Sequence, residues 1–426
     1  MATSRNFSAM LNEYIGIDLL KEEMRKRDWL LQNVEIDEGW KGGALNVPFQ
    51  GQHASTFQFG SLAASNNISN YAYVRAQLTS QAEAWGTLQF LHRDIMEHDG
   101  KINEKSFLKL LPGQIEDFID TMKMNMSVNL LNGSNFATLT VDGTAGGVAE
   151  VDRIDRFTLS QECVIDDGNS SPLTVFVIAI DVNGGTLAKG SVTVSATRGG
   201  AAADISAYTV AQAAKFYHVG AQASSFTSVK SQLLSLANGG STNIAGTAKT
   251  AYPYLQAVNV SGAAVSATNI VSKIFDGYSQ RQIRGKAGKL PKVIMSFKHM
   301  GSVLSILELG TGSGVGAKGP FNVVPGSRSV SAYGWQTVQI GSVSGDVLEF
   351  VAVQEMDDDW IWYCDMDSVT FYTNGFLVRR KAPDGKEYFE ERATTGYSYI
   401  LDHCCFGDIL VKAPWKHAVL HSIPNY

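Results

Sequence analysis

The residues that could do chemistry are few, and their spacing argues against most reactions. Gly314-Val-Gly-Ala-Lys-Gly319 has the letters of a dinucleotide-binding loop. Such a loop needs a strand before it and a helix after it, so that phosphate meets a helix N-terminus. Here a helical pattern precedes, and Pro320 and strand-like residues follow. No Gly-Lys-Ser/Thr occurs, so a Walker loop is excluded and a flexible Gly-rich loop is the better reading. His92, His98 and Asp99 lie close in sequence but lack the helical HExxH spacing of a metal site, and a solvated or interface histidine pair is expected. His299, His403, His417 and His421 form no constellation.

Met356-Asp357-Asp358-Asp359-Trp360 gathers three carboxylates, with Asp365 and Asp367 nearby. A divalent-cation loop alternates its ligands around a tight glycine, which this run lacks, so a solvated turn is expected. Lys381 to Arg392, with Pro383-Asp384-Gly385, reads as a charged hairpin turn. A serine nucleophile would need a GxSxG elbow, and none is present. Cys163, Cys364, Cys404 and Cys405 show no CxxC or zinc spacing, and the adjacent pair suits packed thiols better than a disulfide. No catalytic, cofactor or metal residue is therefore assigned, and the chain is not expected to be an enzyme.

The elements are more informative. Ile115, Phe118, Ile119, Met122, Met126 and Leu130 recur at helical spacing over Gln114 to Leu131. Glu116, Asp117 and Asp120 suit the start of that helix, and Asn132-Gly133 its end. Before it, a short apolar-polar segment from Asn103 to Leu111 is interrupted by Pro112-Gly113. Tyr14, Ile17, Leu20 and Met24 mark an N-terminal amphipathic helix, which fits a body helix and an arm across a neighbour equally well. Leu45 to Phe59 alternates apolar and polar, a Ser/Ala/Asn tract covers Ser61 to Asn70, and a return runs from Tyr71 to Glu97. This pattern predicts a long β-hairpin over 39–100. It has few large apolar groups for a core of its own, and an isolated hairpin is marginal in water. It is expected to rest on another copy of the chain.

From Asp142 to Gly200, turns at Asp166-Asp167-Gly168-Asn169 and Asn183-Gly184-Gly185 punctuate strands and predict a small inserted β subdomain. Val210 to Gly262 is Ala- and Ser-rich with one helix, Phe226 to Ala237. A helix over Ser266 to Arg284, a strand over Pro291 to Phe297 and a helix over His299 to Leu309 follow. The last hundred residues are strand-dominated: Val347 to Val353, Asp359 to Cys364, Ser368 to Tyr372, Phe376 to Lys381, Gly396 to Leu401 and Ile409 to Val411.

The totals agree with a globular protein. At 426 residues, two to four domains or subdomains are expected. A charged fraction of 18% hints at surface covered by partner subunits. A net charge of −6 leaves no nucleic-acid footprint over the whole molecule. No apolar run is long enough to span a membrane, and Met1 to Met10 carries no secretory signal pattern, so a cytosol-like compartment is expected.

The order of these elements resembles the major capsid proteins of tailed bacteriophages, whose HK97-like fold is shared with encapsulins. The resemblance rests on the loop from Leu45 to Phe59 with its return to Phe90, the helix from Ile115 to Leu131, and the block Lys292-Val-Ile-Met-Ser-Phe-Lys-His-Met-Gly301. It implies an α+β fold with an N-terminal arm at 1–38, an extended loop at 39–100, and a spine helix with the start of a peripheral domain at 101–141. The inserted β subdomain would occupy 142–200, a connecting region 201–265, an axial domain 266–345 and closing peripheral strands 346–426. It further implies self-assembly through hexamers and pentamers into an icosahedral shell around double-stranded DNA, within a virion built in a host cytoplasm. Portal, scaffolding and cement proteins would be partners, DNA would be touched non-specifically, and no membrane would be involved. Alternatives are an encapsulin-type compartment, a phage tail or decoration protein, and a β-rich enzyme with a scattered site.

Overall fold

The computed structural model describes residues 17–41, 43–52, 72–79, 81–91, 104–185, 189–285, 290–312, 321–323, 329–330, 335–342, 347–383, 388–393 and 396–424. The architecture is α+β. The chain divides into two compact units, residues 1–81, 85–120 and 229–426 in one, and 82–84 with 121–228 in the other.

The larger unit holds two extended sheets. In the eight-stranded sheet the order is Val258–Ser261, Ala418–His421, Trp360–Cys364, Lys292–Met295, Val347–Val353, Trp335–Ser342 and Phe321–Val323, with Ser329–Val330 also on Trp335–Ser342. Lys292–Met295 lies parallel to Val347–Val353 and antiparallel to Trp360–Cys364. Trp360–Cys364 is buried on both faces, as its continuous run of large residues requires. The helices Ile270–Gly285 and Phe297–Gly312 contribute Ile270, Ile274, Tyr278, Met300 and Val303 to the core that covers this sheet. The division expected at 345 is not followed, because strands from both sides of it alternate in one sheet.

The second sheet joins Glu35–Asp37, Val369–Arg379, Gly396–Val411 and Phe389–Ala393 in order, with Ala82–Leu91 also on Gly396–Val411. Two pairs of short expected strands fuse here into strands of 11 and 16 residues. Bulges at Tyr372/Gly375 and Gly375/Val378 let one strand bend without ending. At Gly407 φ is +154°, and a Cβ there would lie 2.4 Å from the Tyr372 carbonyl oxygen, so only glycine permits the close strand approach.

The N-terminal region departs from an arm. The helix Ile17–Arg27 buries Leu20 and Met24, and Trp29, Leu30, Leu31 and Val34 are buried behind it. Asp28 caps the next short helix by accepting the Leu31 N–H at 2.7 Å. Glu35–Asp37 then pairs in parallel with Val369–Arg379. Arg27 reaches back to Asp120 at 3.1 Å. Residues 17–38 therefore belong to the body, because their apolar face finds its burial on the same chain; residues 1–16 lie outside the described set.

The hairpin is shorter than its sequence pattern. Leu45–Gln52 pairs with Ala72–Leu78, but Ala82–Leu91 leaves it and joins the five-stranded sheet. Trp85 packs edge-on against Phe406 and Thr87 Oγ1 donates to Asp402 at 3.0 Å. Nor does the described part of the ribbon wait for a second copy. Val47, Phe49, Ala76 and Leu78 are buried with Trp40, Ile244, Leu255, Tyr372 and Leu410. Asn46, Pro48, Arg75 and Gln77 on the other face are exposed. Period-two alternation announced one buried face correctly, but it does not say which molecule buries it. Residues 53–71 lie outside the described set.

The long helix runs without a break over 28 residues, Glu104–Leu131, through Pro112-Gly113. Beyond the proline the described face continues with Ile115, Phe118, Ile119 and Met122. The one hydrogen bond lost at a proline does not by itself end a helix whose apolar face is buried beyond it. The stop falls where the sequence places it: Leu131 is the last helical residue, and Gly133 has φ +127° with its N–H on the Asn129 carbonyl at 3.2 Å.

The smaller unit contains a six-stranded sheet in the order Asn135–Thr138, Lys215–His218, Glu162–Asp166, Leu173–Asp181, Ser191–Ser195, Val148–Glu150. Its two outer strands meet. Leu139 bridges Val151, the Thr140 N–H donates to the Glu150 carbonyl at 2.9 Å, and the Asp152 N–H to the Thr138 carbonyl at 3.1 Å. The sheet is thus closed into a small barrel, which leaves no long edge for other strands. Phe136, Cys163, Ile165, Val175, Val177, Val192, Val194 and Phe216 fill its core. The barrel takes in strands at 135–138 and 215–218, so it is wider than the expected 142–200. The Asp166-Asp167-Gly168-Asn169 turn forms as the sequence indicates, with Asp167 Oδ1 accepting the N–H groups of Asn169 and Ser170.

Candidate functional site

Each chemical candidate resolves into packing or lies outside the described residues. His92, His98, Asp99 and the loop 313–320 are in the latter group. The described flanks of that loop are a helix ending at Gly312 and a strand starting at Phe321. This is the reverse of the strand-loop-helix order that phosphate binding needs.

The most catalytic-looking contact is Ser368 Oγ to His417 Nε2 at 2.7 Å, both groups buried. A serine–histidine pair works when a carboxylate holds Nδ1–H, leaving Nε2 free to take the serine proton. Here Trp362 Nε1–H donates to His417 Nδ1 at 3.1 Å. Nδ1 is therefore the acceptor, and the ring proton of the neutral imidazole sits on Nε2. Ser368 Oγ in turn donates to the Asp365 carbonyl at 2.7 Å. The imidazole cannot act as base toward this hydroxyl, and the group is a structural knot that ties Trp360–Cys364 to the residues before Ala418–His421. Burial, aided by the Arg281 and Lys416 charges, pushes the His417 pKa down to about 3.

The other histidines behave alike. His403 accepts from Arg379 Nε at 3.3 Å, lies tilted against Phe118 at 5.2 Å, and is pushed down to about 4 by burial and then by Arg379. His299 Nε2 meets the Asp358 carbonyl at 2.6 Å and is lowered by burial. His421 lies beside Ser422 Oγ at 2.9 Å. All four cysteines are free and buried. Burial raises Cys163 to about 12 and drives Cys364 and Cys405 well up, the opposite of what a thiolate nucleophile needs. Lys249, lowered to about 8 by burial, donates to the Ser231 and Leu234 carbonyls at 2.8 Å and closes the end of the short helix Val229–Leu233.

The acidic run carries its own cation. Asp357 and Asp359 converge on Lys230, whose Nζ lies 2.7 Å from both oxygens of Asp359 and 3.8 Å from Asp357. The Lys230 ammonium stands where a divalent ion would otherwise be sought. Among the described residues no cluster of His, Cys, Asp and Glu is placed to hold a metal. Lys230→Met is expected to cost about 0.5–1 kcal/mol, less at high salt, since Asp359 is half exposed. Urea unfolding at two salt concentrations checks this.

What sequence spacing did not reveal is a cavity of about 240 Å³ in the smaller unit, lined among others by Asn125, Arg156, Ser160, Arg198 and His218. These residues are scattered over the chain, and no local signal connects them. Among the described residues, no helix is long and apolar enough to cross a membrane.

No protein-family model matches the chain. No curated protein matches it in sequence. Among solved structures it is similar to the cyanophage A-1(L) capsid asymmetric unit, at 11% identity and TM-score 0.44, covering 90% of this chain and 89% of that one. It is also similar to the capsid of the native GTA particle, at 8% identity and TM-score 0.43, covering 92% and 90%. The SrpI encapsulin of Synechococcus elongatus PCC 7942 is similar at 6% identity and TM-score 0.37, covering 93% and 89%.

Proposed function

We propose that this chain is a shell-forming structural subunit of the tailed-phage capsid type. The order of elements carries the reading: a ribbon, a 28-residue helix, an inserted barrel, then helix–strand–helix segments sharing a sheet with the C-terminal strands. The side-chain partners support it: His299, His403, His417 and the four cysteines are buried in packing, and Asp357 and Asp359 are paired with Lys230.

In this reading hexamers and pentamers of the chain close into an icosahedral shell around double-stranded DNA, assembled in a host cytoplasm with portal and scaffolding proteins and a cement protein. Closed symmetry lets many copies share one set of contacts. A chain of net charge −6 suits a wall that touches DNA without gripping it. The intersubunit role of the ribbon would fall to residues 53–71, because the described pair Leu45–Gln52 and Ala72–Leu78 buries its apolar face on its own chain.

The test is assembly. Full-length protein, with and without scaffold, is expected to give large closed shells in negative-stain images and sizing. Replacing 53–71 by a short turn should leave a folded subunit that no longer closes. The cut must stop before Ala72, since Ala76 and Leu78 belong to the core. Only monomers or dimers of the full chain under every condition would sink the proposal. Normal shells from the shortened chain would remove the ribbon from the contact. An encapsulin-type compartment would instead co-purify with an enzyme cargo.

A further inference from the structure

The cavity in the smaller unit has a one-sided chemistry. Arg156 lies in its wall at 2% exposure, with Nη1 donating to the Phe136 carbonyl at 2.8 Å. Arg198 is exposed beside it. His218 stacks on Phe136 at 4.5 Å, and its Nε2 is buried with no hydrogen-bond partner. The remaining polar lining is hydroxyl and amide: Thr121, Asn125, Thr158, Ser160 and Gln161. Among the described residues, no carboxylate lines the space. Three acids adjoin lining residues in sequence, Asp120, Asp155 and Glu162. Asp155 is held by a two-pronged pair with Arg153 at 2.9 and 2.8 Å, although it also feels the Arg156 charge.

A second observation concerns the backbone. Ser160 adopts φ +63°, a conformation that costs a non-glycine residue free energy, and its N–H is fixed on the Val177 carbonyl at 2.8 Å. The turn is fastened again where the Thr158 N–H donates to Gln161 Oε1 at 2.8 Å. This strained turn faces the basic wall and leaves Leu159 64% exposed.

We propose that this cavity binds a small oxyanion, a phosphate or carboxylate group, between Arg156, Arg198 and His218. An anion there would give the buried His218 Nε2 a partner and set a negative charge between two guanidinium groups, the arrangement in which charge-assisted bonds are strongest. The space is too small for a drug-sized ligand, which matches an isolated anionic group. His218, now pushed down to about 4 by burial and by Arg156, would titrate higher with the anion in place.

The experiment uses the full chain with isotope-labelled histidine. The His218 resonance is the one missing from His218→Phe, which keeps the stacking ring. Inorganic phosphate and, separately, acetate are titrated against chloride at constant ionic strength. A saturable shift of that resonance is expected, together with a rise in its pKa. A response to phosphate alone supports a phosphate-type ligand, and a response to both supports a carboxylate as well. Arg198→Gln, at an exposed position that leaves the fold intact, should weaken binding about ten-fold. No saturable shift with either anion, or equal affinity in Arg198→Gln, overturns the proposal. The outcome is independent of shell formation, which is read separately by microscopy.

Discussion

Replacing Gly277 by alanine is expected to lower the unfolding free energy by about 2–3 kcal/mol, although the change sits inside a helix where alanine is normally preferred by ~1 kcal/mol. A Cβ at Gly277 would lie 2.3 Å from Tyr363 Oη and 2.8 Å from Cζ. Tyr363 cannot swing aside. Its ring is completely buried in the strand Trp360–Cys364, and its hydroxyl donates to the Ile274 carbonyl at 2.8 Å. The helix Ile270–Gly285 would have to lift from the sheet that Ile270, Ile274 and Tyr278 cover. Denaturant unfolding of Gly277→Ala, Tyr363→Phe and the double variant measures this directly. The double variant should be less damaged than the sum of the singles, because removing the hydroxyl removes the closest clash. A stabilised Gly277→Ala protein would show that the close approach is absent.

Acid should weaken the larger unit well before its carboxylates titrate. His403 and His417 have folded pKa values of about 4 and about 3, against 6.5 for an ordinary imidazole. Between these limits the unfolded chain binds protons that the folded chain refuses, so stability falls as pH drops below about 6.5 and is unaffected by these groups above it. At ~1.4 kcal/mol per pH unit, each contributes a loss of about 2 kcal/mol by roughly pH 5. His417→Phe separates the two roles of its ring. At neutral pH it should cost about 2–3 kcal/mol, because Trp362 Nε1–H loses its acceptor in the interior. Its stability should then fall less steeply with acid, by close to one proton. Unfolding free energies measured from pH 7.5 to 5 test this. An unchanged slope would mean that His417 is not buried as a neutral group.

Elements whose pattern is local were legible in the sequence. Met122, Met126 and Leu130 named the buried face of the long helix, and Asn132-Gly133 its end, because capping and a 3.6-residue stripe are decided within a few residues. The turn at Asp166 to Asn169 and the strand Val347–Val353 are of the same kind. Pro112-Gly113 reads as an interruption from local penalties alone, yet the helix Glu104–Leu131 runs through it, because the apolar face beyond the proline is buried. The absence of GxSxG, GKS/T and CxxC patterns was readable directly, since those motifs depend on spacing alone.

Only the tertiary structure decided which surface each apolar face met. The alternation of Val47, Phe49, Ala76 and Leu78 is identical whether the face packs on its own chain or on a neighbour, and it packs on Tyr372 and Leu410 of its own. The closure of the barrel at Leu139 and Val151, the fusion of Gly396–Val411 into one strand, and the tautomer that Trp362 imposes on His417 all depend on partners far away in sequence. Periodicity fixes that a side must be covered. The partner that covers it is set by the whole chain's packing, and that information is not present in any local window.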